Sequence, residues 1–237
     1  MPKLNLKNPE VEKYITDVAC YWIKECDIDG WRLDVGDEIS HFFWKNFRKA
    51  VKAVKKDMLI IGEIWHYAGD FLEGDEWDTV MNYPFYLNLI DLLADEKITV
   101  SQFVQNLGYL KGRLHKNCYP LMWNLIDSHD TARFLHLCND NKKKQHLAAA
   151  FQLLLPGMPM IYYGDEYAMP GANDPDCRRG MYWDEEYQDK EMYEWYKRLI
   201  QVRKSHACIV EGELAGSVTE DEEGTVVPVS YTHLRAH

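Results

Sequence analysis

Apolar residues along the chain form short continuous runs that alternate with longer stretches at helical spacing. Short apolar runs are typical of strands buried on both faces, as in a parallel sheet. The predicted strands are 30–35, 58–64, 79–82, 119–126 and 158–163. The predicted helices are 8–22, 40–56, 85–94, one that opens at Thr99, 141–155 and 189–204. This order of elements predicts an α/β protein.

Successive β-then-α units favour a parallel sheet with helices outside it. A doubly wound sheet and part of a (β/α)8 TIM barrel both fit this order, and periodicity alone leaves the two open. The pattern changes after Ser205, where strand-like runs at 208–210 and 225–227 flank the acidic segment 219–224. These runs predict the first hairpin of a C-terminal antiparallel β domain over 206–227. Residues 228–237 do not continue the alternation, so we expect a foreign tail there.

Composition narrows the range of partners. The chain has 46% hydrophobic and 27% charged residues, as expected for a globular domain, and its formal net charge is -11. An acidic balance argues against nucleic acid and anionic membrane, and it is compatible with a neutral sugar. The six cysteines form no CxxC pair, so neither a zinc site nor a disulfide framework is predicted. We expect no metal or cofactor, and a cytoplasmic location because no signal peptide is recognisable.

Carboxylates lie at or just past the ends of four of the five predicted strands. The C-terminal ends of parallel strands meet on one rim, where the active sites of α/β proteins lie. A single carboxylate in such a place is as often a helix cap or an ion-pair partner. Their joint placement favours a functional site. The strand-end carboxylates are Asp34, Glu63, Asp127 with Asp130, and Asp165 with Glu166.

Two of these carboxylates have contrasting surroundings. Asp34 comes two residues after Arg32, which strand alternation places on the same side, and a neighbouring guanidinium favours the ionised carboxylate. Glu63 ends a strongly apolar strand and precedes Trp65, so burial would favour its protonated form. One ionised and one protonated carboxyl form the pair that glycoside hydrolysis needs.

Three ordered stretches resemble conserved regions of the α-amylase family of glycosidases. They are Trp31-Arg32-Leu33-Asp34-Val35, Gly62-Glu63-Ile64-Trp65-His66 and Ser128-His129-Asp130-Thr131. Further stretches resemble the neopullulanase, cyclomaltodextrinase and maltogenic amylase branch. They are 1–5, 80–84, 161–166 and 174–179. The resemblance covers nearly all of residues 1 to 205.

The resemblance implies a role for each matching residue. Asp34 would be the nucleophile, Glu63 the general acid and base, and Asp130 the carboxylate that stabilises the distorted sugar. Arg32 would keep Asp34 ionised, and His129 would bind sugar hydroxyls. The outcome would be retention of configuration, which requires the first two carboxyl groups to lie about 5 to 5.5 Å apart. The further candidate substrate contacts are Trp65, His66, Tyr83 and Arg178.

Some of these contacts have a second reading. Trp65 would also serve as a packing residue of the rim, and Arg178 is open to pairing with Asp174 or Asp176. The expected partner is an α-glucan oligosaccharide. In the complete enzyme a homodimer is also expected, as in related proteins of the branch.

The matching motifs place the chain at about strands 4 to 8 of the barrel, so residues 1–205 would form its C-terminal part. The fragment itself is then expected to be poorly stable and nearly inactive, with an unpaired edge beside the strand of Asp34. Two alternatives to the hydrolase use the same barrel, a glucan transferase and a carbohydrate-binding relative without activity. The second should lack one of the three carboxylates, and all three are present. No GxGxxG stretch follows a strand, which disfavours a dinucleotide-binding enzyme.

Overall fold

A computed structural model describes residues 3–115, 117–222 and 224–231 of the chain. The chain divides into two compact units. The first unit comprises Met1–Met81 with Leu114–Leu121, and the second comprises Asn82–Arg113 with Met122–His237. In the described part of the chain no helix is long and apolar enough to cross a membrane.

The first unit contains a three-stranded parallel sheet and two helices. The elements are α1 (Pro9–Cys26), β1 (Gly30–Leu33), α2 (His41–Val54), β2 (Leu59–Gly62) and β3 (Thr79–Val80). The strand order in the sheet is β1-β2-β3. In β1 and β2, Gly30 pairs with Leu59 and Leu33 with Gly62, so the two strands end side by side. Asn8 and Ser40 cap the two helices, each accepting a backbone N–H of the first turn through its side-chain oxygen.

Aromatic side chains fill the space beside this sheet. The buried face of α2 consists of Phe43, Trp44, Phe47 and Val51, at the spacing of one helical face. Trp77 is 1% exposed and stacks on Phe71 with ring centroids 4.1 Å apart. The ring of Trp77 also covers Gly62, the last residue of β2. Packing of this core therefore reaches the residue that immediately precedes Glu63.

Replacing Gly62 with Ala is expected to destabilise the chain by about 1–3 kcal/mol, the usual cost of overpacking a core. A Cβ at this position would overlap the six-membered ring of the buried Trp77. Urea denaturation followed by tryptophan fluorescence measures the change. Gly108→Ala is the matched control, because its added Cβ meets no atom within 4 Å on helix Val100–Arg113. There the better helix propensity of Ala should raise stability. Equal effects of the two substitutions would contradict this packing argument.

The elements of the second unit are α3 (Tyr83–Leu89), α4 (Val100–Arg113), β4 (Trp123–Leu125), α5 (Phe134–Leu137), α6 (Lys142–Leu154), β5 (Met158–Met160), α7 (Lys190–Ser205), α8 (Ala207–Val210), β6 (Glu213–Glu220) and β7 (Thr225–Tyr231). Strands β4 and β5 are parallel, with Trp123 opposite Met158. The apolar core of this unit is built mainly from α3, α4, α6 and α7. Helix α3 continues into a π-helical turn at Ile90–Ala94.

The α/β class and all five parallel strands are confirmed, each inside its predicted range. Two expectations after residue 205 are wrong. Residues 208–210 lie in α8, and the strand that pairs with β7 is Glu213–Glu220. Strand β7 also runs to Tyr231, so 228–231 continue a strand, contrary to the expected break. The foreign origin of 228–237 stays a prediction, and 232–237 lie outside the described residues.

Candidate functional site

Asp34 and Glu63 follow two neighbouring strands of the first unit. Because β1 and β2 are parallel and in register, their ends lie side by side, and each carboxylate comes directly after one of them. Arg32 contacts both groups. Its Nη1 lies 2.5 Å from Asp34 Oδ1, and its Nη2 lies 3.4 Å from Glu63 Oε2. One guanidinium therefore contacts the side chains that follow two adjacent strands.

The two carboxylates differ sharply in exposure, and the burial of Glu63 is the part of this difference that the sequence predicts. The side chain of Asp34 is 76% exposed, whereas that of Glu63 is 6% exposed. Glu63 is held in place by two donors. The N–H of Val35 donates to Oε2 at 2.8 Å, and the indole Nε1–H of Trp65 donates to Oε1 at 2.8 Å. Asp34 is thus open to a ligand, while Glu63 has a fixed orientation.

The backbone at Val35 is strained. Its φ of 47° lies in the left-handed region, which a β-branched residue rarely adopts. Such a conformation costs on the order of 1–3 kcal/mol and persists only where surrounding structure imposes it. Here it aims the N–H of Val35 at Glu63. Sequence reasoning missed this contact because strand alternation predicts extended backbone through residue 35.

Trp65 and His66 lie beyond β2. Trp65 is 40% exposed although its indole N–H bonds to Glu63, so part of the ring faces solvent. His66 Nε2 lies 3.0 Å from Asp37 Oδ2 and is itself exposed. Asp34 also borders a cavity of about 510 Å³ whose other lining residues are mostly apolar, among them Ile15 and Phe43.

Asp130 lies in the second unit, in the loop after β4. His129 Nε2 is 3.0 Å from Asp130 Oδ2, and Arg178 Nη2 is 3.4 Å from Asp130 Oδ1. Arg178 also donates through Nε to the carbonyl oxygen of His129 at 2.8 Å. Its other ion pair is with Asp174, at 2.8 Å. The sequence left the partner of Arg178 open, and the structure brings it to Asp130 and Asp174.

Tyr83 is placed differently from the other candidates. It is completely buried, and its hydroxyl lies 3.0 Å from Ser128 Oγ. The same Ser128 oxygen accepts the backbone N–H of Asp130 at 3.2 Å. Burial argues against direct contact between Tyr83 and a sugar. Its position fits a support for the loop that carries Asp130.

Below this loop lies a buried polar cluster that combines two of the strand-end carboxylates with Arg133, for which the sequence suggested no role. Arg133 is 1% exposed, and its Nη1 lies 2.6 Å from the carbonyl oxygen of Tyr163 and 3.0 Å from Asp165 Oδ1. Asp127 Oδ1 accepts the N–H of Phe134 at 2.6 Å. Burial raises the pKa of both Asp127 and Asp165 above the usual aspartate range. Both carboxylates were identified in the sequence by their positions at strand ends, but only the folded structure shows that they are buried beside Arg133.

The fold and the site define an α/β protein that carries conspicuous carboxylates at the C-terminal ends of parallel strands. The family model "Alpha amylase, catalytic domain" matches residues 1–212. The chain belongs to the α-amylase family.

Similar proteins agree with the branch that the motifs indicated. The chain is 48% identical to a cyclomaltodextrinase of Geobacillus thermopakistaniensis (strain MAS1), over 96% of this chain and 39% of the relative. It is 46% identical to an intracellular maltogenic amylase of Bacillus subtilis, over 94% of this chain and 38% of the relative. A solved structure of a cyclomaltodextrinase superposes with a TM-score of 0.90 at 42% identity, covering 93% of this chain and 38% of that one. The chain therefore spans less than two fifths of the length of these proteins.

Proposed function

We propose that the enzyme containing this chain is a retaining glycoside hydrolase that cleaves α-1,4-glucosidic bonds in cyclomaltodextrins, pullulan or maltooligosaccharides. The observation that carries the proposal is the pair of carboxylates at adjacent strand ends, one exposed and one buried, that share the guanidinium of Arg32. The similarity to a cyclomaltodextrinase and a maltogenic amylase supports this substrate class.

In the proposed mechanism an Asp34 carboxylate oxygen attacks the anomeric carbon while Glu63 gives its proton to the leaving glycosidic oxygen. This step forms a covalent glycosyl ester and releases the first product. Glu63, now ionised, then takes a proton from water as the water oxygen attacks the same carbon and displaces Asp34. Two displacements restore the original configuration. Exposure suits Asp34 to the attack, and the two fixed hydrogen bonds suit Glu63 to a directed proton transfer.

Asp130 is proposed to stabilise the distorted sugar, together with His129 and Arg178, which contact it. The partly exposed ring of Trp65 and the exposed imidazole of His66 are proposed as further sugar contacts, since aromatic faces suit the apolar faces of glucose. No cofactor is needed for this chemistry.

The chain is proposed to form about strands 4 to 8 of a (β/α)8 barrel over residues 1–205, followed by the start of a C-terminal β domain. Among the described residues β1 pairs only with β2, and β5 only with β4. Each therefore has an edge on which a further strand of the complete enzyme could pair. Alone, the chain is expected to be nearly inactive. We also propose a cytoplasmic location and a homodimer of the complete enzyme, the former supported by the intracellular relative.

The experiment that tests the reaction follows the anomeric proton of the first product by NMR. The complete enzyme is mixed with a cyclomaltodextrin, and the newly formed reducing end is observed before mutarotation. Retention predicts that the α-anomer appears first. Initial formation of the β-anomer would rule out the double displacement.

Replacing Glu63 with Gln in the complete enzyme is expected to lower maltooligosaccharide hydrolysis by about 10²- to 10⁴-fold, because no proton reaches the leaving oxygen. With α-maltosyl fluoride, whose leaving group needs no proton, formation of the glycosyl ester should remain fast. The burst of fluoride before the steady state measures the first step on α-maltosyl fluoride, whereas steady-state turnover also includes the second step, in which Glu63 activates water. Loss of the fluoride burst together with maltooligosaccharide hydrolysis would assign Glu63 a role other than acid catalysis.

A further inference from the structure

The carboxyl groups of Asp127 and Asp165 meet inside the second unit. Each has a well-defined donor on one oxygen only. Asp127 Oδ1 accepts the N–H of Phe134, and Asp165 Oδ1 faces Nη1 of Arg133. The other oxygen of each group, Oδ2, is buried and has no donor among the described residues. The two side chains nevertheless lie within hydrogen-bonding range of each other.

Two ionised carboxylates in this position would leave two buried acceptors unsatisfied and two like charges in contact. Each unsatisfied buried group costs about 1–3 kcal/mol, and charge repulsion adds to that. A single proton between the groups removes both costs, because one carboxyl then donates to the other. Both aspartates are 1% exposed, so solvent water does not readily donate the hydrogen bonds that the shared proton provides.

The surrounding charges point the same way. Arg133 is a buried cation that acts on both carboxyl groups, and it balances one negative charge. The remaining groups are neutral or acidic near neutral pH, so none balances the second charge. The titratable groups that face the pair are Arg133, Glu166, Tyr86 on α3, Cys138 after α5 and Tyr196 on α7.

We propose that Asp127 and Asp165 share one proton, and that this proton fastens the loop carrying Asp130 to the segment that leads to Arg178. Asp127 closes the first loop through its bond to Phe134. Asp165 holds Arg133, whose Nε donates to the carbonyl oxygen of Cys177 at 3.2 Å, next to Arg178. The pair is thus a positioning device, because it acts through Arg178 and the loop backbone without touching substrate.

The consequence for Asp130 rests on the proposed function, whereas the shared proton itself does not. The folded chain keeps a proton on the pair at a pH where an unfolded aspartate is ionised. The contribution of the pair to the stability of the chain therefore depends on pH. Its contribution to stability is complete below the ordinary aspartate range. It is lost as the pH rises through the raised pKa values of the pair.

Infrared spectroscopy of the whole chain tests the shared proton directly. At about pH 6, where exposed carboxyl groups are ionised, the wild-type chain should show the carbonyl stretch of a protonated acid. The band should disappear as the pH rises, and Asp165→Asn should remove it. Glu76→Gln is the matched control, because burial also raises the pKa of Glu76, which lies in the first unit. The carbonyl band of Asp127 and Asp165 must persist in the Glu76→Gln variant.

Amide hydrogen exchange at Phe134, followed by NMR on the same chain, tests the positioning role. In Asp165→Asn the introduced amide donates to Asp127, so Phe134 should stay protected and its protection should no longer depend on pH. In Asp165→Leu no donor to the second oxygen of Asp127 remains. Protection of the Phe134 N–H should then fall by about tenfold, the factor for one buried hydrogen bond.

Two results would overturn the proposal. One is a wild-type spectrum at about pH 6 without any carbonyl band that Asp165→Asn removes. The other is equal protection of Phe134 in the Asn and Leu variants. If the variants do not fold, the wild-type titration decides, since band and protection must decline together. Neither readout needs glycosidase activity, so failure of the proposed function would leave the outcome interpretable.

Discussion

Replacement of Asp34 with Ala in the complete enzyme is expected to lower the rate of cyclomaltodextrin hydrolysis by about 10⁴-fold or more, the scale of losing a nucleophile. Without its carboxylate no glycosyl ester forms, and Glu63 alone cannot replace the lost displacement. Because the side chain of Asp34 is 76% exposed, its removal should not disturb folding, so the loss of rate would reflect chemistry. Initial rates on a cyclomaltodextrin, with circular dichroism as a check on folding, measure the effect.

Azide separates loss of the nucleophile from general damage to the site. A small anion can enter the space that the Asp34 side chain leaves beside Arg32 and attack the anomeric carbon. With α-maltosyl fluoride the expected product is β-maltosyl azide, formed by a single displacement with inversion. Asp29→Asn is the control, because this exposed carboxylate lies before β1 and pairs with Lys55, away from the strand end. Azide product of the α configuration would contradict the assignment of Asp34.

Position along the strands explains why part of the site could be predicted from the sequence. Apolar runs fix where a parallel strand ends, and the residue after that end reaches the rim whatever its neighbours do. Asp34 and Glu63 follow β1 and β2 directly, so their adjacency depends only on register. Arg32 was predicted beside Asp34 from alternation alone, and it lies there.

Contacts that depend on a side-chain rotamer or an unusual backbone angle were not predictable in this way. Trp65 was predicted to be a substrate contact or a packing residue of the rim, yet its indole N–H also bonds to Glu63. Val35 reaches Glu63 only because its φ is positive. The meeting of Asp127 and Asp165 joins residues far apart in sequence through packing alone. Alternation carries no information about any of these three features.

The errors at the end of the chain have a different cause. A run of three apolar residues fits a helical turn as well as a strand. Residues 208–210 form a helical turn, within α8. Residues 228–237 do not continue the alternation, but a strand can extend past a proline such as Pro228 when it lies on an edge, where its missing N–H faces away from the ladder. Strand β7 continues past it to Tyr231, opposite β6.

Arg133 is the residue whose loss should destabilise the chain most. Removing one partner of a buried ion pair costs about 3–5 kcal/mol, because an uncompensated charge remains. Arg133→Leu would leave Asp165 without its cation, and it would remove the hydrogen bonds that Arg133 donates to the carbonyl oxygens of Tyr163 and Cys177. Stacking of the guanidinium over the ring of Tyr162, 4.3 Å from its centroid, would also be lost. Urea denaturation measures the change in the free energy of unfolding.

The loss should grow with pH, because the positive charge of Arg133 lowers the pKa values of Asp127 and Asp165, and its removal raises them further. The folded variant would then hold its proton over a wider range, and stability would fall more steeply as the pH increases. The matched control is Arg179→Leu, since Arg179 is an exposed arginine of the same unit that pairs with Asp176. That surface pair should contribute little. A loss for Arg133→Leu that is no larger than the control, or that shrinks with rising pH, would mean that the buried carboxyl pair does not depend on this arginine.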